Sequence, residues 1–191
     1  AATLVQDGKL LYEAGKLNEA EQKLQQAAKI DPNARAPFYY LELIKEQRIE
    51  RAFVSAGGST LYGLGAPPDS SGWEVKLQDP LAPHDPKKSA GTVTLNNQCL
   101  SVSGNYEKFF KVRGVTYSHN MDPRTGRPVE NMLSVALVTQ NGTDGDALDN
   151  AFYVQGVEKG KALLPLYPGL EVSFFLPDGD KAWKMVRLAS Q

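Results

Sequence analysis

The chain has 191 residues, enough for one ordinary domain or for a domain with a small appendage. Hydrophobic residues make up 41%, ample for a packed core, and no apolar run approaches the roughly 20 residues of a membrane span. A formal net charge of -1 argues against nucleic acid or an anionic membrane as the main partner, and the single cysteine, Cys99, excludes an internal disulfide, a cysteine-based zinc site and a CxxC redox motif.

Residues 1 to about 49 read as helical. Leu4, Gly8, Leu11, Ala20, Leu24, Ala27 and Pro32 fall at spacings similar to a single tetratricopeptide repeat. Small residues at 8, 20 and 27 let two antiparallel helices approach, with Leu24 filling the space between them. Gly15-Lys16 supplies the turn, and Asp31-Pro32-Asn33 stops the second helix, because the residue before a proline disfavours helix. Pro37 then sits in the first turn of a third helix, with Phe38, Leu41 and Ile44 on one face. One such hairpin either packs on the domain that follows or docks a partner protein, and both readings stand.

From Arg51 the period changes to two. Strands are expected over 52–55, 60–62, 73–77, 92–95 and 99–102, with proline- and glycine-rich loops at 66–72 and 80–88. Alternation in 99–102 makes Cys99 a small buried strand residue, with a nucleophile as the other reading. A short helix is expected over 106–111, then strands at 115–118, 133–139, 171–176 and 182–187, and helices at 146–154 and 157–164. Many strands with few helices between them predict an α+β fold, mostly antiparallel and β-rich. The expected division is a helical hairpin over 1–36 and a second domain over 37–191.

Four polar stretches are candidates for chemistry. Thr143-Asp144-Gly145-Asp146 resembles a capping box opening a helix, and from there Asp146, Asp149 and Asn150 share one helix face. Three hard oxygen donors suit Mg²⁺; the same residues also suit the positive end of a helix dipole with no ligand at all. His119 stands three residues before the turn Asp122-Pro123-Arg124-Thr125-Gly126, as a general base, a phosphate contact or a plain strand-end residue. Ser103-Gly104-Asn105 reads as a turn or a close backbone approach to a ligand, and Ala56-Gly57-Gly58-Ser59 as a bulge or a backbone cradle for a pyrophosphate.

The succession AGGST, SVSGNYEKFF, YSHNMDPRTGRPV and GDALDNAFYVQG resembles the FAD:protein FMN transferases, the ApbE family, over roughly 50–191. The resemblance is to the C-terminal half of that family, and it implies an ApbE-like domain. Family members cleave the pyrophosphate of FAD, place FMN on a threonine of an acceptor protein and release AMP. The resemblance implies Mg²⁺ on Asp146, Asp149 and Asn150, the last of which departs from the family's usual threonine. It implies a catalytic role for His119 and flavin-nucleotide contacts at Gly57, Gly58, Ser103, Gly104, Tyr106, His119, Asn120 and Met121. A segment of the type KGYAVD, whose alanine carbonyl completes the family's metal site, has no counterpart in these residues. A non-catalytic flavin-binding or protein-interaction module of the same descent is the alternative. The family acts mostly outside the cytoplasm, so a periplasmic or envelope location is expected. A chain opening on Ala1 is compatible with removal of an export signal.

Overall fold

The computed structural model describes residues 1–106, 109–113, 115–179 and 181–190. These divide into two compact units, Ala1–Glu50 and Arg51–Gln191.

The first unit is three helices, α1 (Ala2–Glu13), α2 (Leu17–Ile30) and α3 (Arg35–Gln47). Ala20, Leu24 and Ala27 are fully buried on α2, and a Cβ on Gly8 would stand 2.6 Å from Leu24 Cγ. The expected close approach of α1 and α2 is therefore present. On α3 the inward face is Pro37, Tyr40, Leu41 and Ile44. Phe38, expected on that face, is 47% exposed instead. It lies one position off the i, i+3, i+4, i+7 stripe that Pro37 begins.

The second unit is built on a six-stranded sheet in the order β1-β2-β5-β10-β11-β12, with every neighbouring pair antiparallel. Its strands are β1 (Ala52–Ala56), β2 (Thr60–Leu64), β5 (Gln98–Gly104), β10 (Ser134–Thr139), β11 (Glu171–Pro177) and β12 (Trp183–Ala189). Three hairpins complete it: β3 (Trp73–Gln78) with β4 (Ser89–Leu95), β6 (Phe109–Val112) with β7 (Val115–Ser118), and the short β8 (Met121–Asp122) with β9 (Arg127–Pro128). This is the expected mixed, mostly antiparallel fold. The helix expected over 106–111 is not present: 109–112 pair with 115–118 as strands, and 107–108 lie outside the described residues. Phe109, Phe110 and Val112 are aromatic or β-branched, and their β-propensity serves the pairing.

One helix, α4 (Gly142–Leu163), crosses this unit. Gly156 interrupts it at φ 71°, ψ -176°, a conformation open to glycine, so the two helices expected on either side meet at a break. Asn141, not Thr143, is the N-cap: its side chain accepts a 3.0 Å bond from the Thr143 N–H. The helix therefore starts four residues before Asp146, a turn earlier than expected. Central strands β5 and β10 divide the core. Val135, Leu137, Val172 and Phe174 pack with Phe152 and Tyr153 of α4, while Leu100, Ala136, Val138 and Phe175 pack with Leu77 and Leu95 of the β3–β4 hairpin. Cys99 is fully buried in β5, and burial pushes its thiol up, which suits a strand residue and not a nucleophile. Among the described residues no helix is long and apolar enough to cross a membrane.

Candidate functional site

A cavity of about 370 Å³ opens where several chain segments meet. The β1–β2 loop contributes Gly57, Gly58 and Ser59; the end of β5 contributes Val102, Ser103 and Gly104; α4 contributes Asp146, Asp149 and Asn150. Residues 75–78 of β3 lie along it too. Tyr106, His119 and Ser134 also line it. Nine of the eleven residues singled out from sequence thus share one cavity, although they span positions 57 to 150. Asn120 and Met121 do not line it.

Local structure explains each placement. Gly57 and Gly58 both have positive φ, 65° and 81°, and close the loop between two paired strands rather than forming a bulge. Ser103 and Gly104 are strand residues, opposite Val135 and Ser134, and not a turn. Alternation along β5 therefore aims Ser101 and Ser103 toward α4 while Leu100 and Val102 take the other face. The lack of a side chain at Gly104 leaves room for the Tyr106 ring, whose Cε1 would stand 2.6 Å from a Cβ there.

The acidic face of α4 is held by hydroxyls. Ser101 Oγ donates to Asp149 Oδ2 at 2.7 Å, and Ser103 Oγ donates to Asn150 Oδ1 at 3.0 Å. Thr60 Oγ1 donates to Asp146 Oδ1 at 3.1 Å and stands 3.4 Å from Ser101 Oγ, its cross-strand partner. Asp149 is only 2% exposed, and its Oδ1 is buried with no hydrogen-bond partner among the described residues. Burial pushes this carboxyl above the ordinary carboxylate range, and the Asp146 charge adds to the push. The hydrogen bond from Ser101, with the nearby Ser103 hydroxyl and Asn150 N–H, opposes it without cancelling it.

An unpartnered buried carboxylate oxygen beside a second carboxylate is costly unless a cation joins them. Two carboxylates and an amide oxygen are hard donors of the kind Mg²⁺ takes. Among the described residues no three His, Cys, Asp or Glu side chains gather as a metal site, and this set reaches three donors only through Asn150. The donor chemistry and the orphaned Asp149 oxygen fit a hard divalent ion.

His119 follows the last residue of β7 and is exposed at the cavity. Its neighbours are tied down. The Asn120 N–H donates to Ser118 Oγ at 3.0 Å, and the Asn120 carbonyl accepts from the Val129 N–H at 2.9 Å. Behind them Tyr153 is fully buried and donates from its hydroxyl to the Met132 carbonyl at 2.8 Å. Burial raises the Tyr153 phenol, while nearby Ser118 and Asn120 oppose that rise; the buried Asn120 Nδ2 makes no well-formed hydrogen bond among the described residues. Asn120 therefore faces the core, and Met121, 45% exposed, pairs with Pro128.

Thr60, Ser101, Lys76 and Ser134 belong to the site and were not anticipated. The signal for the first two is a hydroxyl at inward positions of alternating strands, readable only once the pairing of Thr60 with Ser101 is known.

Residues 6–174 match the ApbE family. A FAD:protein FMN transferase from Treponema pallidum is 34% identical over 147 residues, 72% of this chain and 40% of that protein. One from Escherichia coli K12 is 33% identical over 144 residues, 74% of this chain and 40% of that protein. The chain thus spans about two fifths of the length of the curated relatives it matches. Among solved structures, the apo flavinyl transferase ApbE of Pseudomonas stutzeri superposes with a TM-score of 0.57 at 27% identity, covering 80% of this chain and 45% of that one. The ApbE protein of Thermotoga maritima gives 0.58 at 26%, covering 88% and 47%. The match to the family runs over most of the chain, through both the glycine loop and the acidic face of α4, and on that ground the chain belongs to the ApbE family.

Proposed function

We propose that this chain carries the transfer of FMN from FAD to a threonine hydroxyl of an acceptor protein, with release of AMP. The observation that supports the reading most is the orphaned, buried Asp149 oxygen in a cavity shared by Asp146, Asn150 and His119. In the reaction the threonine Oγ bonds to the FMN-side phosphorus, the bond from that phosphorus to the AMP oxygen breaks, and the threonine proton moves to a base. His119 is the group at the cavity suited to take that proton through an imidazole nitrogen. Asp146, Asp149 and Asn150 would hold Mg²⁺, which would neutralise pyrophosphate charge when bound. Gly57 and Gly58 offer a backbone cradle against which a phosphate can lie close, since no side chain stands there. Ser103, Gly104 and Tyr106 form the wall against which the nucleotide is positioned.

The chain spans about two fifths of those relatives' length, which fits a part of a transferase, and the reading of it as the C-terminal half rests on the resemblance of its motifs. The first two helices, spaced like a tetratricopeptide repeat, are a separate helical element in this reading. Family descent supports action in the periplasm or cell envelope. The test incubates the chain with FAD, Mg²⁺ and a threonine-bearing acceptor protein, reading in-gel flavin fluorescence and AMP release. Equal amounts of covalent flavin and AMP, both lost in Asp146→Ala and His119→Ala, are expected. Flavin retention that needs no Mg²⁺ and releases no AMP would favour a binding module instead.

A further inference from the structure

We infer that Arg124 is a positioning residue, a clamp that fixes the hairpin directly following His119 against the helix carrying Asp146, Asp149 and Asn150. This rests on the reading of His119 as the base. Arg124 lies in the turn between β8 and β9 and forks the Asp122 carboxylate, Nε to Oδ1 at 2.8 Å and Nη2 to Oδ2 at 2.7 Å. The Arg124 N–H adds a 2.9 Å bond to the same Oδ1. The guanidinium then reaches across to α4, from Nη1 to Gln155 Oε1 at 3.2 Å and from Nη2 to the Val154 carbonyl at 3.4 Å.

Those two acceptors stand just before the break at Gly156. A helix end leaves carbonyls open to a side-chain donor, and a cation there also meets the negative end of the dipole. Val154 is one helical turn beyond Asn150, so the clamp grips α4 next to its acidic face. At the other end the hairpin is continuous with His119. Met121 pairs with Pro128, Asp122 pairs with Arg127, and Val129 holds the carbonyl of Asn120. A movement of the turn is therefore passed along two short strands to His119. The guanidinium holds the Asp122 carboxyl down at about 2, so the fork stays charged at any pH at which the folded chain would be assayed.

The task requires arginine. Lysine has one nitrogen and cannot fork a carboxylate while also meeting two acceptors on a helix. Arg124 is 44% exposed, and exposed ion pairs add little to stability, so the clamp serves geometry more than folding. A displacement of about 1 Å at a reacting group costs on the order of 100-fold in rate.

The experiment compares wild type, Arg124→Lys and Arg124→Ala by NMR of the histidine imidazoles and by transfer kinetics. The chain has only two histidines, and His84, which does not line the cavity, is the internal reference. Expected in Arg124→Ala are a shifted or broadened His119 signal, an unchanged His84 signal, and kcat lower by roughly 10- to 100-fold with KM for FAD unchanged. Arg124→Lys falls between. An unmoved His119 signal overturns the clamp. So does a change in both histidines with loss of cooperative unfolding, which marks a merely structural residue. A His119 response in Arg124→Ala, with no transfer by the wild type, supports the clamp and sinks the transfer reading alone.

Discussion

Replacing Ser101 with alanine removes the shortest hydrogen bond to the acidic face, the 2.7 Å donation to Asp149 Oδ2. Ser101 is fully buried, and the other Asp149 oxygen already lacks a partner among the described residues, so the carboxylate keeps only the weaker pull of the nearby Ser103 hydroxyl and Asn150 N–H. A hydrogen bond to a charged group contributes about 1.5–3 kcal/mol, which is roughly a 10- to 100-fold loss in the folding equilibrium. The loss carries a pH signature. The raised Asp149 carboxyl means that the folded chain holds this proton more tightly than the unfolded chain does. Stability from this group therefore falls as pH rises from the unfolded titration through the folded one. Removing the hydroxyl moves the folded titration further up and deepens the fall. The deficit is full where Asp149 is ionised and shrinks as pH drops into the carboxylate range. Urea denaturation followed by tryptophan fluorescence measures it, since Trp73 and Trp183 both lie in the second unit. A deficit under about 0.5 kcal/mol, or one equal at both ends of the pH range, would refute the reasoning.

Three further outcomes follow from the same geometry. Asp149→Asn should stabilise the metal-free chain above the carboxylate range and flatten its pH dependence, as thermal melts in chelator will show; a less stable variant at pH above that range contradicts the burial argument. Tyr153→Phe should cost only about 1 kcal/mol in urea, because the Met132 carbonyl keeps a second donor in Asn105 Nδ2 at 3.3 Å. Gly104→Ala should cost about 1–3 kcal/mol by driving a methyl into the Tyr106 ring, and adding Tyr106→Ala should recover most of it.

Strands such as 73–77 in the β3–β4 hairpin and 99–102 in the large sheet were readable because their alternation survives burial. The acidic face was readable because i, i+3, i+4 geometry is local to one helix. Three readings failed where local pattern met tertiary demand. Residues 109–112 joined a hairpin with 115–118, the turn alternative for Ser103 and Gly104 gave way to a strand because Val135 and Ser134 pair with them, and Phe38 missed the buried stripe by one position. Asn120 shared a motif with His119 but not its direction, since successive residues along an extended chain point to opposite sides, and Met121 is taken up by its pairing with Pro128 in the β8–β9 hairpin. The roles of Thr60, Ser101 and Arg124 could not be read from the linear chain, because their partners lie 86, 48 and 30 residues away.

The ion proposed on Asp146, Asp149 and Asn150 would bind the pyrophosphate of FAD in this cavity. Calorimetric titration of FAD into the chain, with Mg²⁺ and then with chelator, tests it most directly. Saturable heat is expected with Mg²⁺, with none in chelator and none in Asp146→Ala. A silent titration in Mg²⁺, or equal binding by wild type and Asp146→Ala, would contradict it.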